Sequence, residues 1–159
     1  MTTINQAGHL LERARWAAAA YAEYDQSAVS AIVNAVVEAG HAEAERFAAA
    51  AVAETQMGVV ADKVVKNRAC SRGILDFYRG QDFVSPRVDV EQKIVEIPRP
   101  AGVVLALAPT TNPVATVYFK VILALMTRNA VVVAPHPRAR QCSVDAAQLL
   151  AEAAVAAGA

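Results

Sequence analysis

The chain has only two cysteines, Cys70 and Cys142, far apart in sequence. That excludes a disulfide framework and the close ligand pairs of a zinc site, and it fits a reducing cytosol. Net charge is absent as well. Fifteen Lys and Arg against 15 Asp and Glu leave a formal charge of zero, so there is no basic footprint of the kind nucleic acid requires. No uncharged apolar run approaches the ~18 residues that cross a bilayer. The opening stretch, MTTINQAGHLLERARW, lacks the ordered basic, apolar and cleavage segments of a signal peptide. Partners in nucleic acid or membrane are therefore not expected. What is present is 55% hydrophobic and 19% charged over 159 residues, enough to bury one core and too apolar for disorder. Alanine runs such as Ala17 to Ala20 and Ala48 to Ala51 favour helix, because Ala loses no side-chain entropy there. They read as a compositional bias without functional meaning.

From about residue 5 to residue 80 the pattern is helical. Leu10, Leu11, Ala14, Ala18 and Tyr21 recur at helical spacing. Asp25 or Ser27 can cap a second helix with the apolar face Val29, Ile32, Val33, Val36 and Val37. Gly40 and His41 should break it. Ala44, Phe47, Ala48 and Ala51 mark a third helix ending near Gly58. A fourth is expected from about Val60 to Tyr78, with Val64, Val65, Ile74 and Tyr78 inward and Gly80 as its stop. Asp62, Lys63 and Lys66 read as charge decoration on its face, and His9 and His41 as helix surface.

Residues 81–100 change character. Val88 and Val90, then Ile94, Val95 and Ile97, form one or two short strands, a hairpin or an edge ribbon, bounded by Pro98 and Pro100. Residues 101–159 change again. Val103 to Ala108 is a short apolar run of strand length, and Ala130 to Ala134 reads as a second buried strand. Between them lies a helical pattern through Val114, Val117, Tyr118, Val121 and Leu125. Thr127-Arg128-Asn129 is a turn. A last helix, expected to be capped at Ser143, aligns Ala147, Leu150, Ala151, Ala154 and Val155. This is β-α-β-α, the grammar of a parallel sheet with right-handed crossovers. The fold class expected is α/β: a helical front, residues 1–80, a β-ribbon, then the first half of a Rossmann-like sheet. Two parallel strands cannot form a sheet covered on both faces. A third strand is expected after Gly158 and Ala159, and the chain reads as a fragment.

The segment Pro109-Thr110-Thr111-Asn112-Pro113 joins a strand to a helix. Asn112 falls at the N-cap and Pro113 at the first helical position, both favoured there. Ligands in open α/β sheets bind at this carboxyl end, where helix amides and the positive end of the helix dipole converge. An Asn amide so placed can donate to a carbonyl oxygen becoming an oxyanion. The competing reading is that Asn112 only caps the helix.

A family resemblance bears on that choice. Val95-Glu-Ile-Pro-Arg-Pro-Ala-Gly-Val103, Ala108-Pro-Thr-Thr-Asn-Pro113, Phe119-Lys120, Thr127-Arg-Asn-Ala130 and Pro135-His-Pro-Arg-Ala139 occur in this order. Ahead of them stand Ala53-Glu-Thr-Gln-Met-Gly58, Asp62-Lys-Val64 and Lys66-Asn67. Over nearly its whole length the chain resembles the CoA-acylating branch of the aldehyde dehydrogenase superfamily.

The resemblance implies oxidation of a small aldehyde with coenzyme A to acyl-CoA, through a cysteine thiohemiacetal and thioester. It makes Asn112 the oxyanion donor and places Pro109, Thr110 and Thr111 beside the nicotinamide half of the cofactor. His136 and Arg138 would face its adenosine end, and Lys120 would lie on the cofactor side. Non-acylating relatives carry a lysine and a glutamate where Ala134 and Pro137 stand here. Without that carboxylate the ribose site loses a device that repels a 2′-phosphate. NAD is the expected cofactor, with measurable use of NADP.

The resemblance implies that the family's nucleophilic cysteine falls beyond residue 159. Cys70 and Cys142 read as ordinary thiols, although a helix N-terminus could lower the pKa of Cys142. The chain alone should therefore be inactive. Its ribbon and open sheet edge should favour association, as in the homo-oligomers of the family. The expected location is the cytosol, with a bacterial microcompartment as the alternative. The competing functional readings are a truncated nucleotide-binding module and a helical interaction protein.

Overall fold

Alanine-rich sequence with few internal breakers makes a helical front end, and the computed structural model, which describes residues 3–159 and side chains from residue 6, shows it. Helix α1 is Thr3–Tyr21, α2 Gln26–Ala42, α3 Ala44–Thr55 and α4 Val60–Arg68. A π-helical turn, Ala69–Gly73, leads into the short α5, Ile74–Phe77. Asp25 is the cap of α2: its Oδ1 accepts the Ala28 amide at 2.8 Å. All five apolar residues expected on the inner face of α2 are buried.

Three expectations for these helices need correction. On α1 the buried stripe is Ala14, Ala18 and Tyr21, while Leu10 and Leu11 are exposed. Helix α2 does not break at Gly40 and His41 but runs through them to Ala42. The glycine serves packing rather than termination. A Cβ at Gly40 would stand 3.2 Å from the Tyr118 ring and 3.3 Å from Leu150, so its absence lets neighbouring helices close on α2. Along α4 and the π-helical turn the buried residues are Lys63, Asn67 and Ser71; Val65 is exposed, while Ile74 and Tyr78 pack half-buried against the core as expected. Burial of these polar groups is tolerable because each is hydrogen-bonded. Asn67 Nδ2 donates to Ala44 O at 3.0 Å, and Ser71 Oγ donates to Asn67 O at 2.8 Å.

Strands β1, Arg87–Asp89, and β2, Ile94–Glu96, form an antiparallel ribbon with Val88 opposite Val95, exposed along its length. Strands β3, Val103–Ala108, and β4, Ala130–Pro135, are parallel and in register from Val103–Ala130 to Ala108–Pro135. Helix α6, Pro113–Met126, is the crossover between them. Neither strand is fully buried, contrary to the apolar runs. Side chains alternate faces along a strand, so Ala106 and Ala108 are buried while Leu105 and Leu107 are 64% and 60% exposed. One core joins α2, α3, α6 and α7, with Phe47 and Tyr118 edge to face at 6.4 Å.

The turn Thr127-Arg128-Asn129 ties distant parts together. Arg128, in the left-handed region at φ 56°, donates to Ala22 O at 2.7 Å and to Pro98 O at 3.1 Å. Asn129 Oδ1 accepts the Gly102 amide at 2.8 Å, which joins the starts of β3 and β4.

Helix α7 spans Arg140–Ala156 after a 3₁₀ turn at Pro137–Ala139, so it begins before Ser143. Ser143 lies inside it, its Oγ donating to Ala139 O at 2.6 Å. The inward face is Cys142, Ser143, Ala146, Leu150 and Ala154, and Ala151 and Val155 are exposed. The cap comes from another helix. Glu54 of α3 accepts the Gln141 and Cys142 amides, both at 2.8 Å. Burial raises the Glu54 pKa, but its hydrogen bonds with Cys142, Gln141 and Arg140 outweigh this and hold it below 4.5. That stabilisation is complete above the unfolded value and fades as pH falls through the folded one. Glu54→Ala should lower stability by about 1–2 kcal/mol at neutral pH. Thermal melts should show the difference shrinking as the pH is taken below 4.5.

Candidate active site

Parallel strands deliver their following loops to one end of the sheet, and here two such loops lie side by side. Ala108 and Pro135 are register partners, and the His136 amide donates to Ala108 O at 2.9 Å. The first loop carries Pro109, Thr110, Thr111 and Asn112, and the second carries His136, Pro137 and Arg138. Pro109, Thr111, His136 and Arg138 are exposed, and Thr110 and Asn112 are half-buried. All the residues singled out from sequence thus gather at one end of one sheet.

Asn112 holds the N-cap place before Pro113, but its side chain does not cap α6. Its backbone, at φ −141° and ψ 62°, supplies only the carbonyl that accepts the Thr116 amide at 3.1 Å. The carboxamide turns to α4, where Oδ1 accepts from Lys66 Nζ at 3.1 Å. The first-turn amides of α6 thus have no side-chain cap.

Lys63 and Lys66 therefore are not surface decoration. Lys63 is 6% exposed and donates to Thr111 O at 2.8 Å. Burial, then the neighbouring Lys66 ammonium, push its pKa below 10.5. Lys120 Nζ donates to Leu107 O at 2.7 Å, one residue before the end of β3. Sequence reading missed the role of α4, yet a signal was there. Lys63, Asn67 and Ser71 recur every four residues, a polar stripe on one helical face.

His136 Nδ1 accepts the Arg138 amide at 3.2 Å and so starts the 3₁₀ turn. His9 lies at the helix surface, 3.9 Å from Glu12. His41 does not: it is half-buried, with Nδ1 enclosed and without a hydrogen-bond partner.

Neither thiol is activated. Cys142 is 2% exposed, and its pKa is pushed up to about 12, first by burial and then by the Glu54 carboxylate. The helix N-terminus does not lower it, because Glu54 already occupies those amides. Burial also raises the Cys70 thiol. Among the described residues no group of three His, Cys, Asp or Glu could hold a metal ion, and no helix is long and apolar enough to cross a membrane. A concavity of about 390 Å³ between α2 and residues 75–83 shares no lining residue with either loop.

Residues 2–159 match the sequence profile of the aldehyde dehydrogenase family. The chain is 36% identical to the bifunctional aldehyde-alcohol dehydrogenase of Escherichia coli over 160 aligned residues, which is 100% of this chain and 18% of that protein. An acetylating aldehyde dehydrogenase from Geobacillus thermoglucosidasius superposes with a TM-score of 0.94 at 38% identity, covering 98% of this chain and 35% of that one. A propionaldehyde dehydrogenase from Rhodopseudomonas palustris, solved with CoA bound and a cysteine acylated, is 30% identical. Its TM-score is 0.78, over 93% of this chain and 34% of that one. The chain thus spans about a fifth of the bifunctional enzyme and about a third of the solved ones. With the family profile matching from residue 2 to residue 159, the chain belongs to the aldehyde dehydrogenase family, and it is similar to acylating members of it.

Proposed function

We propose that the chain works as the amino-terminal part of an enzyme that converts an aldehyde, coenzyme A and oxidised nicotinamide nucleotide to acyl-CoA, the reduced nucleotide and a proton. In the complete enzyme, with the chain continued as in its relatives, Asn112 is the oxyanion donor. The observation that carries this reading is that the Asn112 amide sits at the N-terminus of α6 without capping it. With Oδ1 taken by the Lys66 ammonium, the two N–H groups of Nδ2 are the part of the carboxamide left for a carbonyl oxygen that gains charge under nucleophilic attack. The Asn112→Ala exchange in the complete enzyme is the test.

The two loops suit a dinucleotide because they leave neighbouring parallel strands beside the uncapped amides of α6. Pro109, Thr110 and Thr111 would hold the nicotinamide side, and His136 and Arg138 the adenosine side. A nicotinamide nucleotide held there would supply the hydride acceptor. The loop residues orient it and keep it next to Asn112. Neither Ala134 nor Pro137 carries a carboxylate for a ribose, and Arg138 is exposed in the same loop.

NAD is then the main cofactor, with NADP measurably used. In the complete enzyme Arg138→Ala should lower the NADP-to-NAD ratio of kcat/KM by roughly 3–10-fold, the value of an exposed charge-assisted contact. An unchanged ratio, or no NADP use at all, would remove Arg138 from the ribose site. The exposed ribbon β1–β2 is assigned to contacts between subunits of a homo-oligomer. The free thiols suit the cytosol, or the interior of a bacterial microcompartment.

A further inference from the structure

Lys63 and Lys66 stand one turn apart on α4, and both ammonium groups meet oxygens of the loop that carries Asn112. An ammonium has donors and no acceptor. Lys66 can therefore meet only the Oδ1 side of the Asn112 carboxamide, and the flip of that amide is decided. With Oδ1 held at 3.1 Å from Nζ, Nδ2 must face away from α4. Lys63 acts on the backbone next door, donating to Thr111 O at 2.8 Å.

The surroundings leave little play. A cavity of about 10 Å³ remains among Lys63, Lys66, Asn67 and Asn112, room for one water at most. The Lys63 stem passes Gly58, where a Cβ would stand 3.2 Å from Cε. Gly58 also holds φ 81°, a left-handed conformation that favours glycine.

We propose that Lys66 is a positioning residue for the reaction: its ammonium fixes the Asn112 amide with Nδ2 toward the substrate oxygen and polarises it, while Lys63 anchors the loop backbone beneath. A cation at the carbonyl oxygen of an amide draws electron density from its nitrogen. The N–H then donates more strongly, as hydrogen bonds in a chain reinforce one another. A neutral asparagine thereby acquires part of the effect of a charged donor without a charge of its own in the site. The inference rests on the reading of Asn112 as oxyanion donor.

The test is a double-mutant cycle in the complete enzyme. Lys66→Met should lower kcat by about 10–100-fold, the value of a hydrogen bond to a charged group. KM for aldehyde, CoA and nucleotide should stay nearly constant, and Lys66→Arg should restore most of the rate. In an Asn112→Ala background the same exchange should cost less than about twofold, because a residue acting through another has no effect once that one is gone. Lys66 is exposed, so the variant should fold; Lys66→Gln serves the same comparison if it does not.

A full loss in the Asn112→Ala background overturns the proposal. So does a change confined to KM for CoA or nucleotide, which would make Lys66 a phosphate-binding cation, or a fall in Tm with kcat intact. If Asn112→Ala itself leaves kcat unchanged, the oxyanion reading fails first and this inference with it. If Asn112→Ala lowers kcat and Lys66→Met does not, only the inference fails.

Discussion

Replacing Asn112 by alanine in the complete enzyme should lower kcat by about 10²–10³-fold, the effect of removing one preorganised oxyanion donor. The nucleotide KM should hardly move, because the charge that Nδ2 meets develops only in the transition state. Asparagine at an N-cap is ordinarily a stability residue, and its loss then costs about 1 kcal/mol with no consequence for chemistry. Here the side chain makes no cap hydrogen bond, so alanine removes little from α6. The two readings separate cleanly when kcat and Tm are measured on one variant. A fall in kcat at nearly constant Tm supports the donor. Unchanged kcat with a lowered Tm returns Asn112 to the role of cap.

The 159-residue chain by itself should oxidise no aldehyde with any pairing of CoA and nicotinamide nucleotide. Thioester chemistry needs a thiolate, and the chain offers Cys70 and Cys142. Burial and the Glu54 carboxylate push the Cys142 pKa up to about 12, so it stays a thiol at neutral pH. Its enclosure denies a substrate access besides: it is 2% exposed, and its Sγ lies 3.6 Å from Ala139 O. Cys70 is half-buried in the π-helical turn, with its pKa also raised. Stopped assays with propionaldehyde, CoA and NAD should therefore match a protein-free blank. Turnover that disappears in Cys142→Ser would overturn this and would make the buried thiol the nucleophile.

Much of the architecture was legible before any coordinates. Helical periodicity placed the inner face of α2 correctly, since a 3.6-residue repeat of valine and isoleucine has one folded solution. The change to short apolar runs separated by turn residues announced β3, α6 and β4 in order. The two loops that receive the candidate residues follow from that order alone, because parallel strands joined by a crossover put their carboxyl ends together.

Errors arose where one residue type serves two purposes. Glycine usually weakens a helix, so Gly40 reads locally as a breaker, but the partner that needs its missing Cβ, Tyr118, is distant in sequence. By local chemistry Ser143 reads as a cap, while the true cap, Glu54, lies on another helix. Leu105 and Leu107 looked like core, yet they lie on the uncovered face of a two-stranded sheet.

By itself, then, the sequence determined the elements, their order and the loops where chemistry would gather, since these depend on propensity and periodicity over a few consecutive residues. Only the tertiary structure decided what Asn112 does with its side chain. Lys66 and Asn112 are 46 residues apart, Lys63 and Thr111 48. No local pattern encodes which oxygen a lysine will reach. That choice belongs to the packing of α4 against the loop before α6, where an ammonium leaving water must find an acceptor.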